Sequence, residues 1–163
     1  MGILIVALIF SLMIERIRLK NGALIQRIFH RWLNPLLKIS ELDGPLTGAT
    51  WSILGLLSAI IIFPPPIAIF AMLIMTLGDP IAAIAGQTFG RLRIFGKTIE
   101  GSLAGIAVCI VFGILFLKIP LAVLTAGAVG GMLVELLPLP LNDNLIIPIA
   151  AGFSMVTIGF FIA

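Results

Sequence analysis

Residues 66–89, PIAIFAMLIMTLGDPIAAIAGQTF, decide the fold. From Pro66 to Gly78 the run carries no charged side chain. The whole stretch is long enough to cross a hydrocarbon core of about 30 Å, which takes roughly 20 helical residues. Asp79 interrupts it. The helix from Pro66 to Gly78 would be only about 20 Å long, so Asp79 does not clear the bilayer. A carboxylate at that depth is costly unless it faces a cavity or a partner. Gly78 and Pro80 flank it and predict a local break in the helix. Ala82, Ala83, Gly86 and Gly90 follow on an adjoining small face suited to close helix packing. Two roles fit Asp79: a structural carboxylate bonded to a neighbouring helix, or a metal ligand or general base. The second is preferred.

The rest of the chain agrees with a membrane setting. Of its 163 residues, 61% are hydrophobic and 10% charged, with mean hydropathy +1.27. That is too little polar material to cover a soluble domain of this size. The expected fold is therefore all-α, a polytopic transmembrane helical bundle of about five to six helices forming a single domain over residues 1–163. Expected spans are Gly2 to Ile14 (short, tilted or interfacial), Pro45 to Phe63, Pro66 to Phe89, Leu103 to Leu117, Pro120 to Leu137 and Leu145 to Ala163. Pro64, Pro65 and Pro66 make a rigid turn, the last able to start a helix. Met1 to Met13 lacks a basic leader and an A-x-A site, and reads as a span. Cys109 is the only cysteine, so no internal disulfide forms.

The charges then sort by side. Arg16, Arg18, Lys20, Arg27, Arg31 and Lys38 precede the second span, and Arg91, Arg93 and Lys97 follow the third. With alternating spans both groups face one side, and only Lys118 falls opposite. Nine of the ten Lys and Arg residues thus mark that side as cytoplasmic. Glu15, Glu41, Asp43, Glu100, Glu135 and Asp143 gather in or beside the same ends. Lipid anchoring requires no acids there, whereas a site for phosphates and a divalent cation uses both signs.

Residues 90–102, GRLRIFGKTIEGS, hold three cations, two hydroxyls, three glycines and a carboxylate. Glycines let backbone approach an anion, and Lys and Arg neutralise phosphate. The run approaches a P-loop pattern, but five residues separate Gly90 from Gly96 where four are needed, and no strand precedes it. A P-loop ATPase is excluded; phosphate binding is kept. The bland alternative is a basic loop with Ser102 capping the fourth helix. Glu135, near the end of the fifth span, precedes Asn142-Asp143-Asn144. Carboxylates beside phosphate-binding cations suit Mg²⁺, a hard ion that takes oxygen ligands; the alternative for 142–144 is an N-cap of the last helix. Trp51 reads as an interfacial anchor. His30, with no second His or Cys nearby, reads as a surface basic residue and not a zinc ligand.

Three blocks in order resemble the CTP-dependent lipid kinases, the family of dolichol kinase, phytol kinase and fungal-type diacylglycerol kinase. They are Glu41 with Leu46-Thr47-Gly48-Ala49-Thr50-Trp51; Gly78-Asp79-Pro80 through Gly86, Phe89-Gly90 and Lys97-Thr98-Ile99-Glu100-Gly101-Ser102; and Glu135 with Asp143-Asn144-Leu145 and Pro148. Together they span roughly Arg31 to Gly152, and the middle block is the most specific. The resemblance implies transfer of the γ-phosphate of CTP to the hydroxyl of a membrane isoprenoid alcohol or related lipid, an alcohol-group phosphotransferase reaction with Mg²⁺. It implies a catalytic set of Asp79, Lys97 and Glu100. Phosphate and nucleotide contacts would come from Arg91, Arg93, Lys97, Thr98, Ser102 and Asn144, and metal contacts from Asp79, Glu135 and Asp143. Lipid and CTP are the expected partners, without nucleic acid, and a homo-oligomer is the expected source of the further helices that relatives carry. The site would face the cytoplasm, where CTP is. Competing readings are a CTP:lipid-phosphate cytidylyltransferase, a small transporter and a non-enzymatic membrane subunit.

Overall fold

The computed structural model describes residues 2–20 and 46–162. Arg27, His30, Arg31, Lys38, Glu41 and Asp43 lie outside the described residues. Six helices account for most of the rest: α1 Gly2–Lys20, α2 Gly48–Ile62, α3 Pro65–Phe89, α4 Ile99–Phe116, α5 Leu121–Leu136 and α6 Asp143–Ile162. Helices α3, α4 and α6 are long and apolar enough to cross a membrane, while α2 and α5 are shorter apolar helices. The chain is an all-α membrane bundle, as its composition demands.

Pro65 opens α3 within its first turn, where a missing N–H costs nothing. Pro64 and Pro120 stand immediately before α3 and α5 in extended conformation. The break expected at Gly78 does not occur. Residues Ile74–Gly78 instead form one π-helical turn, and the Asp79 N–H donates to the Ile74 carbonyl five residues back. The wider turn absorbs Pro80, which lacks a donor and would crowd the carbonyl four residues before it. Helix therefore continues through Asp79 to Phe89.

Helix α3 threads the centre, against α4, α5 and α6, while α2 packs on α6 and α1 on α2. The core holds Phe70, Ile74, Leu124, Met132, Ile147 and Met155, all fully buried. The outward faces of α4, α5 and α6 present Leu, Ile, Val and Phe such as Leu115, Leu133 and Phe160. In lipid such faces are solvated, so helix association rests on close packing by small residues. Gly55 of α2 is one such place: a Cβ there would collide with the Asn144 carbonyl of α6.

The polar bonds between helices gather at one end of the bundle. At that end α1 finishes and α2 starts, α3 finishes and α4 starts, and α5 finishes and α6 starts. The α3–α4 connection contains a β-hairpin, β1 Arg93–Ile94 paired antiparallel with β2 Lys97–Thr98. The sequence reading held no strand there.

Candidate functional site

Thr98 ends the hairpin and starts α4. Its side chain accepts from the Gly101 N–H, so Thr98 is the N-cap that the sequence reading gave to Ser102. Ser102 lies one turn further on, buried, and donates to Glu135 Oε2 at 3.1 Å. The cap can sit so close to α3 because both partners lack side chains. A Cβ on Gly86 would strike Thr98 Oγ1, and one on Gly101 would strike the Ala82 carbonyl. Of the small face read from Ala82, Ala83, Gly86 and Gly90, Ala82 and the two glycines thus seat α4 and the hairpin, while Ala83 stays exposed.

With the hairpin so placed, Lys97 reaches across to the last turn of α5 and the first of α6. Its Nζ lies 3.1 Å from Glu135 Oε1 and 2.7 Å from Asp143 Oδ2. It also donates to the Glu135 carbonyl at 2.6 Å. Glu135 is buried near the end of α5, and both of its oxygens are matched, one by Lys97 and one by Ser102. Burial of the Lys97 ammonium by itself would lower its pKa. The Asp143 hydrogen bond and the charges of Glu135 and Asp143 outweigh that, and hold Lys97 above the ordinary lysine value. The group is a cation at any physiological pH.

Lys97 and Glu135 open onto a groove of about 390 Å³ lined also by Ala82, Ala83, Gly86, Gln87, Arg93, Gly96 and Thr98. Sites for small molecules commonly run from roughly 300 to 1,000 Å³. One wall is the small face of α3 and another is the hairpin. Asp79 precedes Ala82 and Ala83 by one turn on the same helix face, and is half-buried.

The remaining sequence candidates separate. Arg93 lines the groove; Arg91, exposed, does not. Glu100 does not meet Lys97. It accepts from the Leu92 N–H at 3.1 and 3.2 Å and ties the base of the hairpin to α4. Asn144 donates from its side-chain amide to the Gly48 carbonyl, joining α6 to α2. Asn142 Oδ1 accepts from the Asn144 N–H, so Asn142 supplies the capping expected somewhere in 142–144 and leaves Asp143 to Lys97. Among the described residues no three His, Cys, Asp or Glu side chains converge as a metal site.

One buried acid was missed. Glu15, in the last part of α1, is 3% exposed and accepts from the Thr47 N–H at 2.7 Å and the Thr50 hydroxyl at 3.3 Å. Ser11 and Thr50 share a further hydrogen bond at 2.6 Å. The sequence reading set Glu15 at the interface because it treated the first helix as ending at Ile14. The helix runs on to Lys20, which turns Glu15 inward against α2. Thr47 and Thr50, one turn apart in the first resembling block, were the available signal.

Comparison with known proteins adds two distant relatives. An uncharacterized protein of Rickettsia prowazekii is 27% identical over 143 residues, covering 82% of this chain and 70% of that protein. CTP-dependent diacylglycerol kinase 1 of Schizosaccharomyces pombe is 25% identical over 151 residues, covering 81% of this chain and 69% of that protein. No family model matches the chain, and no solved structure matches it.

Proposed function

We propose that this chain is a CTP-dependent lipid kinase, moving the γ-phosphate of CTP to the hydroxyl of a membrane lipid such as a polyprenol, dolichol, phytol-like alcohol or diacylglycerol. One observation carries the reading. Lys97 is held between Glu135 and Asp143 on the wall of a groove at one end of a membrane bundle. The distant similarity to a CTP-dependent diacylglycerol kinase supports the kinase class and the donor. The basic residues at that end, with Lys118 at the other, favour a cytoplasmic site.

Phosphoryl transfer asks a protein mainly for positioning and charge neutralisation. Lys97 and Arg93, both on the groove, neutralise the phosphate oxygens. The lipid hydroxyl oxygen bonds to the γ-phosphorus as the bond to the β-phosphate bridging oxygen breaks, leaving CDP. The hydroxyl proton passes to a carboxylate, and Asp79, one turn before the Ala82–Ala83 wall of the groove on α3, is assigned that role. Thr98 and Ser102 keep their structural bonds and shape the wall. Arg91 and Asn144 stay at the margin, and Glu100 acts by fixing the hairpin.

The donor set fits Mg²⁺ entering with a nucleotide. Glu135 and Asp143 offer two carboxylates, and Mg²⁺ commonly takes one or two from protein and the rest from phosphate and water. Glu135 and Asp143 would hold the ion, and Lys97, which matches their charge here, would be left to neutralise phosphate. Bound there, Mg²⁺ would supply charge neutralisation on the β- and γ-phosphates.

The test incubates purified protein with Mg²⁺, γ-labelled CTP or ATP, and a panel of polyprenols, phytol-like alcohols and diacylglycerol. Labelled lipid from CTP, lost in a folded Lys97→Ala protein, supports the reading. Pyrophosphate release with a phosphorylated lipid acceptor would replace it with a cytidylyltransferase. A folded protein that binds no nucleotide would end it.

A further inference from the structure

The tip of the β1–β2 hairpin has an odd composition. The two-residue turn is Phe95-Gly96, with φ of +47° and +88°, the form that favours Asn-Gly. A bulky residue at positive φ is disfavoured, and such a residue at an exposed tip points to a use for its side chain. Phe95 is 71% exposed, Leu92 61% and Phe89 72%. Arg91 and Arg93 stand between them, both exposed. The segment is therefore apolar and cationic at once, with no protein cover among the described residues.

Its place in the fold says what covers it. It follows directly from α3, a helix long and apolar enough to cross a membrane, whose last residue, Phe89, is exposed. Its base is fixed to α4 by the Glu100 carboxylate on the Leu92 N–H and by the Ile99 N–H on the Leu92 carbonyl. Its height relative to the spans is thus set. Aromatic rings and arginines side by side match the boundary between headgroups and acyl chains, and anionic headgroups attract clustered cations beside a span.

We propose that this hairpin is seated in the headgroup layer of the bilayer, with Phe95 as its apolar anchor and Arg91 on the phosphates of anionic phospholipid. Because the same hairpin carries Lys97 and Thr98, the seating fixes the groove wall at the depth where a lipid hydroxyl lies. The seating needs only the membrane-spanning bundle; its link to a lipid hydroxyl rests on the kinase reading.

The full chain carrying Phe95→Trp is reconstituted in phosphatidylcholine vesicles with increasing phosphatidylglycerol. The emission of the parent protein, from Trp32 and Trp51, is subtracted. A blue-shifted difference spectrum, quenched by lipids brominated high on the acyl chain and shielded from aqueous iodide, is expected. Phosphatidylglycerol should strengthen the bromolipid quenching, and Arg91→Gln should remove much of that increase. Iodide quenching without bromolipid quenching overturns the seating, and an unchanged phosphatidylglycerol response in Arg91→Gln overturns the role of Arg91. No nucleotide is present, so this measurement and the kinase assay fail independently.

Discussion

Lys97 Nζ and Asp143 Oδ2 lie 2.7 Å apart across 46 residues of chain, and this pair with Glu135 locks the α3–α4 hairpin to the start of α6. Removing one partner of a buried charge group leaves the other uncompensated, at roughly 3–5 kcal/mol when burial is complete. Glu135 is close to that limit and Lys97 is not, with side-chain exposures of 6% and 31%. Lys97→Met should therefore destabilise more than Lys97→Met does in a Glu135→Gln background. A double-mutant cycle on unfolding in detergent should give a coupling of about 1–3 kcal/mol. Additive losses would mean that the pair contributes nothing specific.

The same ion pair sets a pH dependence. Lys97 is held above the ordinary lysine value, so its folded form binds the proton more tightly than its unfolded form. Its contribution is complete below the unfolded value, about 10.4, and declines as pH rises through the higher folded value. Between about pH 6 and 9 the difference in thermal midpoint between parent and Lys97→Met should stay flat, and it should shrink only in the alkaline range. A difference that collapses near neutrality would refute the assignment.

Thr98 is the N-cap of α4 and also the residue against which Gly86 packs. Loss of such a cap costs roughly 0.5–2 kcal/mol. Thr98→Ala should fall in that range by thermal unfolding, and Thr98→Ser should recover most of it because the accepting oxygen remains. Gly86→Ala should be worse than either, since its Cβ meets the Thr98 hydroxyl. Equal losses for the Ser and Ala variants would assign Thr98 to packing and not to capping.

How far the sequence reached follows from what was local. Hydropathy gave the helices, because about 20 apolar residues in a row are a local property. Glu135 and Asp143 were legible as two carboxylates at the same interface as the cations of the Lys97 loop, since each interrupts or borders an apolar run. What was not legible is that Lys97 pairs directly with both acids: ion pairs between helix ends leave no periodic trace. Glu15 and Thr47 are 32 residues apart, and the helix carrying Glu15 was read as ending where charges began. The π turn at Ile74–Gly78 was misread as a break because Gly-Asp-Pro marks a departure from α-helix without saying which. The hairpin was hidden because Phe stands at a turn position that usually signals itself with Asn or Asp.

Glu15 yields the last prediction. Its carboxylate caps the entry to α2 through the Thr47 N–H and holds the Thr50 hydroxyl, and so fastens α1 to the bundle. Helix α2 in turn carries Gly48, whose carbonyl receives the amide of Asn144, next to Asp143 and the groove. A charged acceptor on backbone N–H groups at a helix start is worth more than a neutral one. Glu15→Gln keeps the shape and loses the charge, and should cost about 1–2 kcal/mol; Glu15→Ala, which also empties the site, should cost more. Proteolysis within α1 itself, in detergent, should rise in that order, while α4 to α6 stay protected. If Glu15→Ala instead leaves α1 as resistant as in the parent, α1 is held by its apolar contacts and the polar cluster is incidental to the packing.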